Sequence, residues 1–98
     1  MSHTNEIHGQ KPVLVHFFAS WCPTCQLQSP VVLEVKDQVG ERATIINIDI
    51  DKNQRFAESS KVETVPTLII YSEGEELWRK NGPATVHEIL DQLSVHIE

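Results

Sequence analysis

The sequence predicts an α/β fold in which a central four-stranded mixed sheet is flanked by helices. Three observations predict it. Short β-branched and aromatic runs, apolar on both faces, alternate with segments of helical periodicity. The runs are short and lack strict apolar–polar alternation, as strands covered on both sides do. The last two strand candidates meet at Glu73-Gly74, a turn that makes them an antiparallel hairpin.

Val13-Leu14-Val15-His16-Phe17-Phe18 opens the series and reads as a central strand. From Cys22 to Val39, the residues Leu27, Val31, Val35 and Val39 recur at intervals of four. They predict a helix with that stripe buried, Gly40 at its C-terminal cap, and a kink at Pro30. Ala43–Ile50 is the second strand, and Asn53–Ser60 a short helix. Thr67–Tyr71 and Leu77–Lys80 form the hairpin, with Trp78 packing on the sheet and Glu73, Glu75 and Glu76 left to solvent. Thr85-Val86-His87-Glu88 is a capping box, and Val86, Ile89, Leu90, Leu93 and Ile97 form the buried face of the helix it opens.

A chain of 98 residues predicts one domain, spanning residues 1–98. With 8 basic against 14 acidic residues, and Arg79-Lys80 the only adjacent basic pair, it carries no phosphate-backbone footprint, so nucleic acid is not an expected partner. Val13–Ala19, broken by His16, falls far short of the roughly 20 apolar residues of a membrane span. Met1–Lys11 has neither the basic flank nor the apolar run of a secretory leader. The expected location is cytoplasmic if Met1 is the natural start, and periplasmic if a leader or anchor has been removed.

The chemistry lies in Trp21-Cys22-Pro23-Thr24-Cys25. A loop this short removes little entropy from the unfolded chain, which argues against a structural staple and leaves redox or metal chemistry. Structural zinc takes four ligands, and a chain with 2 cysteines offers only half a thiolate set, so no metal is expected. Cys22 follows a strand and opens a helix, where unpaired N–H groups and the positive end of the dipole favour an anion. Thiolate is the attacking species in disulfide exchange, so Cys22 is the predicted nucleophile, exposed at the helix tip. Residues three apart on a helix are neighbours, which puts Cys25 within bonding reach as the more buried, resolving thiol. The two sulfurs hold both electrons, and no cofactor is needed. Trp21 is expected to be an exposed contact for partner proteins.

Val15-His16-Phe17-Phe18-Ala19-Ser20-Trp21-Cys22, then Pro30, Ile48-Asp49-Ile50-Asp51, Val65-Pro66-Thr67, Gly74 and Gly82 follow in order the pattern of the thioredoxin family, which the chain resembles from about Pro12 onward. The resemblance implies a thioredoxin fold and a thiol–disulfide oxidoreductase acting by a two-cysteine mixed-disulfide mechanism. It implies a cis Val65–Pro66 bond in a loop facing the cysteines. That loop, with Trp21, Pro23, Thr24 and Gly82, would hold an extended substrate segment. The implied partners are protein disulfides and a separate reductase as electron donor, and a monomer is expected. Two other readings stand beside it: a non-catalytic binding module of the same fold, and a dedicated reductase in cytochrome c maturation.

The chain departs from the family pattern at four places. Pro23-Thr24 replaces the usual Gly-Pro, giving a Trp-Cys-Pro-Thr-Cys string that resembles those of extracytoplasmic cytochrome-maturation proteins. That change predicts a potential less reducing than the roughly −270 mV of thioredoxin. His16 stands where the family has a buried aspartate, and Asn47 where a lysine commonly partners it. The two are expected to hydrogen-bond, with His16 a candidate for proton transfer at Cys25. The N-terminal region is about ten residues shorter than the family's, so four strands are expected, with a short helix before Pro12.

Overall fold

The computed structural model describes residues 11–97. The short helix expected before Pro12 lies outside them. The elements are β1 (Val13–Phe18), α1 (Pro23–Val39), a 3₁₀ turn (Gly40–Arg42), β2 (Thr44–Asp49), α2 (Gln54–Ser59), β3 (Thr67–Ser72), β4 (Glu75–Asn81) and α3 (Val86–Ser94). This is the order read from the sequence. The four strands lie in the order β2-β1-β3-β4. β2 runs parallel to β1, while β3 is antiparallel to both β1 and β4. The sheet is therefore mixed.

Strand alternation divides the core into two layers. Val13, Val15 and Phe17 of β1 pack with Ile46, Ile48, Ile69 and Tyr71, and Phe56 of α2 covers them. Leu14, Leu68 and Ile70 point to the other face, against Val32, Val35 and Val39 of α1 and Ile89 and Leu93 of α3. His16 has the parity of Leu14 and so lies on the α1 side. β1 is buried on both faces because it is central, which is why its sequence shows no alternation.

The stripe predicted for α1 is rotated in the structure. Leu27 is 75 % exposed, Val31 is only partly buried, and the inward face is Cys25, Gln28, Val32, Val35 and Val39. Steps of four advance 400° and drift about 40° each time around a helix of 3.6 residues per turn. The observed spacing alternates three and four, which holds one face. Gln28 disguised that face by being polar. The helix runs through Pro30 as one element.

The hairpin is longer than predicted, with β4 starting at Glu75 and reaching Asn81. Its turn places Glu73 at φ 53° and Gly74 at φ 84°, the positive values that a type I′ hairpin turn requires at both central residues. A bulge follows, where Ile70 pairs with Trp78 but Tyr71 with Glu76. Trp78 packs against the α1/α3 layer as expected. Glu76 is not simply solvated. Its carboxylate accepts from Arg79 at 2.8 Å, which holds the carboxyl below the usual range, and the same guanidinium donates to the Ser60 and Lys61 carbonyls. At α3 the capping box forms as read: Thr85 Oγ1 accepts from the Glu88 N–H at 3.1 Å, and Glu88 Oε1 from the Thr85 N–H at 3.0 Å.

Candidate active site

β1 delivers the chain to the site. After Phe18, the Cys22 N–H donates to the Ala19 carbonyl at 3.2 Å, closing a turn that points Cys22 into the start of α1. Cys22 is the N-cap, in an extended conformation, and Pro23 takes the first helical position, where its missing N–H costs nothing. The cap acceptor is the sulfur itself: the Cys25 N–H donates to Cys22 Sγ at 3.2 Å. A sulfur that accepts from a helix N-terminus is held where a thiolate gains most.

Both thiols are free. Cys22, predicted to be exposed, is 5 % exposed and so nearly as buried as Cys25. The reason is tertiary. Sγ turns inward towards the Val65 carbonyl, 3.7 Å away, and Ala19, Phe18, Ile50 and Val65 close around the pair. Burial, followed by the hydrogen bond with Cys22, pushes the Cys25 thiol up to about 11. Cys25 therefore carries a proton at neutral pH and needs a base before it can attack.

The Val65–Pro66 bond is cis, and the loop containing it leads directly into β3. Val65 joins the cysteine cluster, and its carbonyl is the oxygen that Cys22 approaches. Trp21 is 64 % exposed, with its indole N–H donating to Asp51 Oδ2 at 2.9 Å. Pro23 and Thr24 are also exposed. Gly82 follows β4 at φ 142°, a backbone region that L side chains rarely adopt. A Cβ added there meets nothing within 4 Å, so the constraint at Gly82 is backbone conformation rather than close packing.

His16 is fully buried, with the strand parity that faces α1. Its Nδ1 lies 3.0 Å from Asn47 Oδ1, as its pairing opposite Asn47 in the register allows. With Asn47 presenting a carbonyl oxygen, Nδ1 carries the proton and Nε2 is left as an acceptor. Nε2 is buried with no hydrogen-bond partner among the described residues. Burial lowers the His16 pKa, opposed by the Asn47 hydrogen bond, so the ring is neutral at neutral pH. Among the described residues no cluster of three His, Cys, Asp or Glu side chains is arranged to hold a metal ion.

Sequence reasoning missed three participants. Asp51 reads in the sequence only as part of a strand-end string, yet it fixes the Trp21 ring. The Val65 carbonyl carries no side-chain signal. Gln28, a lone polar residue in the apolar phase of α1, is buried and bonded to Ala84. Its only trace in the sequence is that break in phase.

Comparison with known proteins agrees with this geometry. The thioredoxin family model matches residues 1–95. A chloroplastic thioredoxin Y of rice is 33 % identical over 90 residues, covering 92 % of this chain and 54 % of the rice protein. This chain thus spans about half of that relative's length. The thioredoxin of Mycobacterium tuberculosis is 33 % identical over 91 residues, covering 93 % of this chain and 78 % of its own. Among solved structures, a point-mutant thioredoxin from Halobacterium salinarum superposes with a TM-score of 0.88 at 30 % identity, over 97 % of this chain and 82 % of that one. No helix among the described residues is long and apolar enough to cross a membrane. The chain belongs to the thioredoxin family, and its two free cysteines fit a two-cysteine redox motif.

Proposed function

We propose that this chain reduces or exchanges disulfides in other proteins, working as a single domain of residues 1–98 and as a monomer. The observation that carries the reading is the Cys25 N–H donating to Cys22 Sγ at the mouth of α1, beside the Val65–Pro66 loop. The Cys22 thiolate attacks one sulfur of a substrate disulfide, forming a mixed disulfide as the other substrate sulfur leaves as a thiolate. Cys25 then loses its proton and attacks Cys22 Sγ. The Cys22–Cys25 disulfide forms, the second substrate thiol is released, and two electrons have passed to the substrate. A separate reductase returns the pair to the dithiol.

His16 accepts the Cys25 proton in this scheme. The reading is supported by a neutral buried imidazole with Nε2 unengaged, on the face of the sheet that α1 covers, and by a Cys25 thiol that burial keeps protonated. Trp21, Pro23, Thr24, Val65, Pro66 and Gly82 form the contact surface for an extended segment of the substrate. With Pro23-Thr24 between the sulfurs in place of the usual Gly-Pro, the expected potential lies above the roughly −270 mV of thioredoxin. Insulin reduction driven by dithiothreitol tests the function. The native chain accelerates it, Cys22→Ser abolishes the acceleration, and Cys25→Ser accumulates the mixed disulfide. If the native chain and Cys22→Ser are equally inactive, the oxidoreductase reading fails and a binding module remains.

A further inference from the structure

Gln28 is 2 % exposed and takes no part in the thiol chemistry, yet both the oxygen and the nitrogen of its amide are bonded. Its Nε2 donates to the Ala84 carbonyl at 2.9 Å, and its Oε1 accepts from the Ala84 N–H at 2.9 Å. The pair is closed and complementary, because only the amide oxygen can meet an N–H and only its nitrogen can meet a carbonyl. Ala84 lies between β4, which ends at Asn81, and the Thr85 cap of α3, so neither element's ladder reaches it. It is also buried. Without Gln28 both of its backbone groups would be stranded away from water, which folded proteins avoid. The Gln28 amide thus supplies the partner that another strand would otherwise provide.

The contact joins two walls of the site. Gln28 is three residues beyond Cys25 on α1, and Ala84 is two beyond Gly82 in the connection that borders the substrate surface. The loop of Val65 is already tied to α1 through Cys22 Sγ. Pro83 offers no N–H, and Gly82 at φ 142° leaves the chain conformationally free, so the Gly82 connection has little of its own to hold it in place. We propose that Gln28 is a positioning residue, clamping the Gly82–Ala84 connection at a fixed distance from the cysteine helix and so setting the groove that receives the substrate backbone. The proposal rests on the disulfide-exchange reading given above.

Gln28→Met keeps the length of the side chain and removes both hydrogen bonds. With insulin as substrate, KM rises by about tenfold, the scale of a buried hydrogen-bond pair lost. The ratio of insulin reduction to reduction of hydroxyethyl disulfide, which has no peptide backbone to seat, falls by a similar factor. The Cys22–Cys25 potential, measured against glutathione, does not follow. Amide hydrogen exchange at Ala84 speeds up in the folded variant. Should Gln28→Met fail to fold, Gln28→Glu, which keeps an acceptor for the Ala84 N–H, is read the same way. A KM within twofold of the native value overturns the proposal. So does an equal loss on both substrates, or a shifted potential, since either puts the effect on the thiols. A native chain that does not reduce insulin overturns the exchange reading and the clamp together. An active native chain with an unaltered Gln28 variant overturns the clamp alone.

Discussion

His16→Leu exchanges a titrating ring for an apolar side chain at a fully buried position, and its main effect is on how stability varies with pH. Burial holds the folded-state pKa of His16 below its ordinary value of 6.5, with the Asn47 hydrogen bond working against that shift. The unfolded chain therefore binds the proton first. Stability from this group is fully present above pH 6.5 and is lost as pH falls from there towards the folded value. Each pH unit in that window costs at most about 1.4 kcal/mol, and the integrated loss between about pH 7.5 and about pH 5.5 has the same ceiling. For a chain of this size that corresponds to roughly 5–10 °C in melting temperature. Asn47 stands on the edge strand β2 and is exposed, so water satisfies its amide once the ring is gone. Thermal melts of both proteins across the window compare them with every other titrating group in common. The native curve falls towards acid more steeply than that of His16→Leu. Parallel curves, or a steeper variant, would refute the reasoning that His16 is buried neutral. The same variant slows the Cys25-dependent step and removes an inflection on the acid side of pH 6.5 from the pH profile of turnover. An unaltered profile leaves His16 with structure alone.

Thr85→Ala removes the oxygen that accepts the Glu88 N–H and lowers stability by about 1 kcal/mol, read from the urea midpoint; a variant as stable as the parent denies the capping box any net contribution. Gly82→Ala costs about 1–2 kcal/mol through backbone strain alone, because a Cβ there meets nothing within 4 Å. Equilibrium denaturation measures it, and a neutral result means that the connection relaxes. Leu27→Ala stays within about 0.5 kcal/mol of the parent, as surface changes do, whereas Val35→Ala costs about 2 kcal/mol for lost methyl groups and the cavity they leave. A cost at Leu27 as large as that at Val35 would restore the stripe first read from the sequence.

Local pattern alone determined the order of the elements, the covered central strand β1, the hairpin turn at Glu73-Gly74, the Thr85–Glu88 box and the cysteine pair at a strand-to-helix junction. Each is encoded within a few residues, where periodicity, turn chemistry and capping act directly on the chain. The Val65–Pro66 cis bond and the His16–Asn47 pairing were legible only through family resemblance, since nothing within a few residues of either specifies it. Only the tertiary structure decided which face of α1 turns inward, because Gln28 is polar by composition and becomes core-compatible only when the Ala84 backbone meets it from 56 residues away. Only the tertiary structure buried Cys22, by bringing the Val65 carbonyl against its sulfur, and fixed Trp21 with Asp51. The physical reason is the same in each case. A buried polar atom is stabilised by a partner that the sheet order brings to it, and sequence spacing carries no record of that approach.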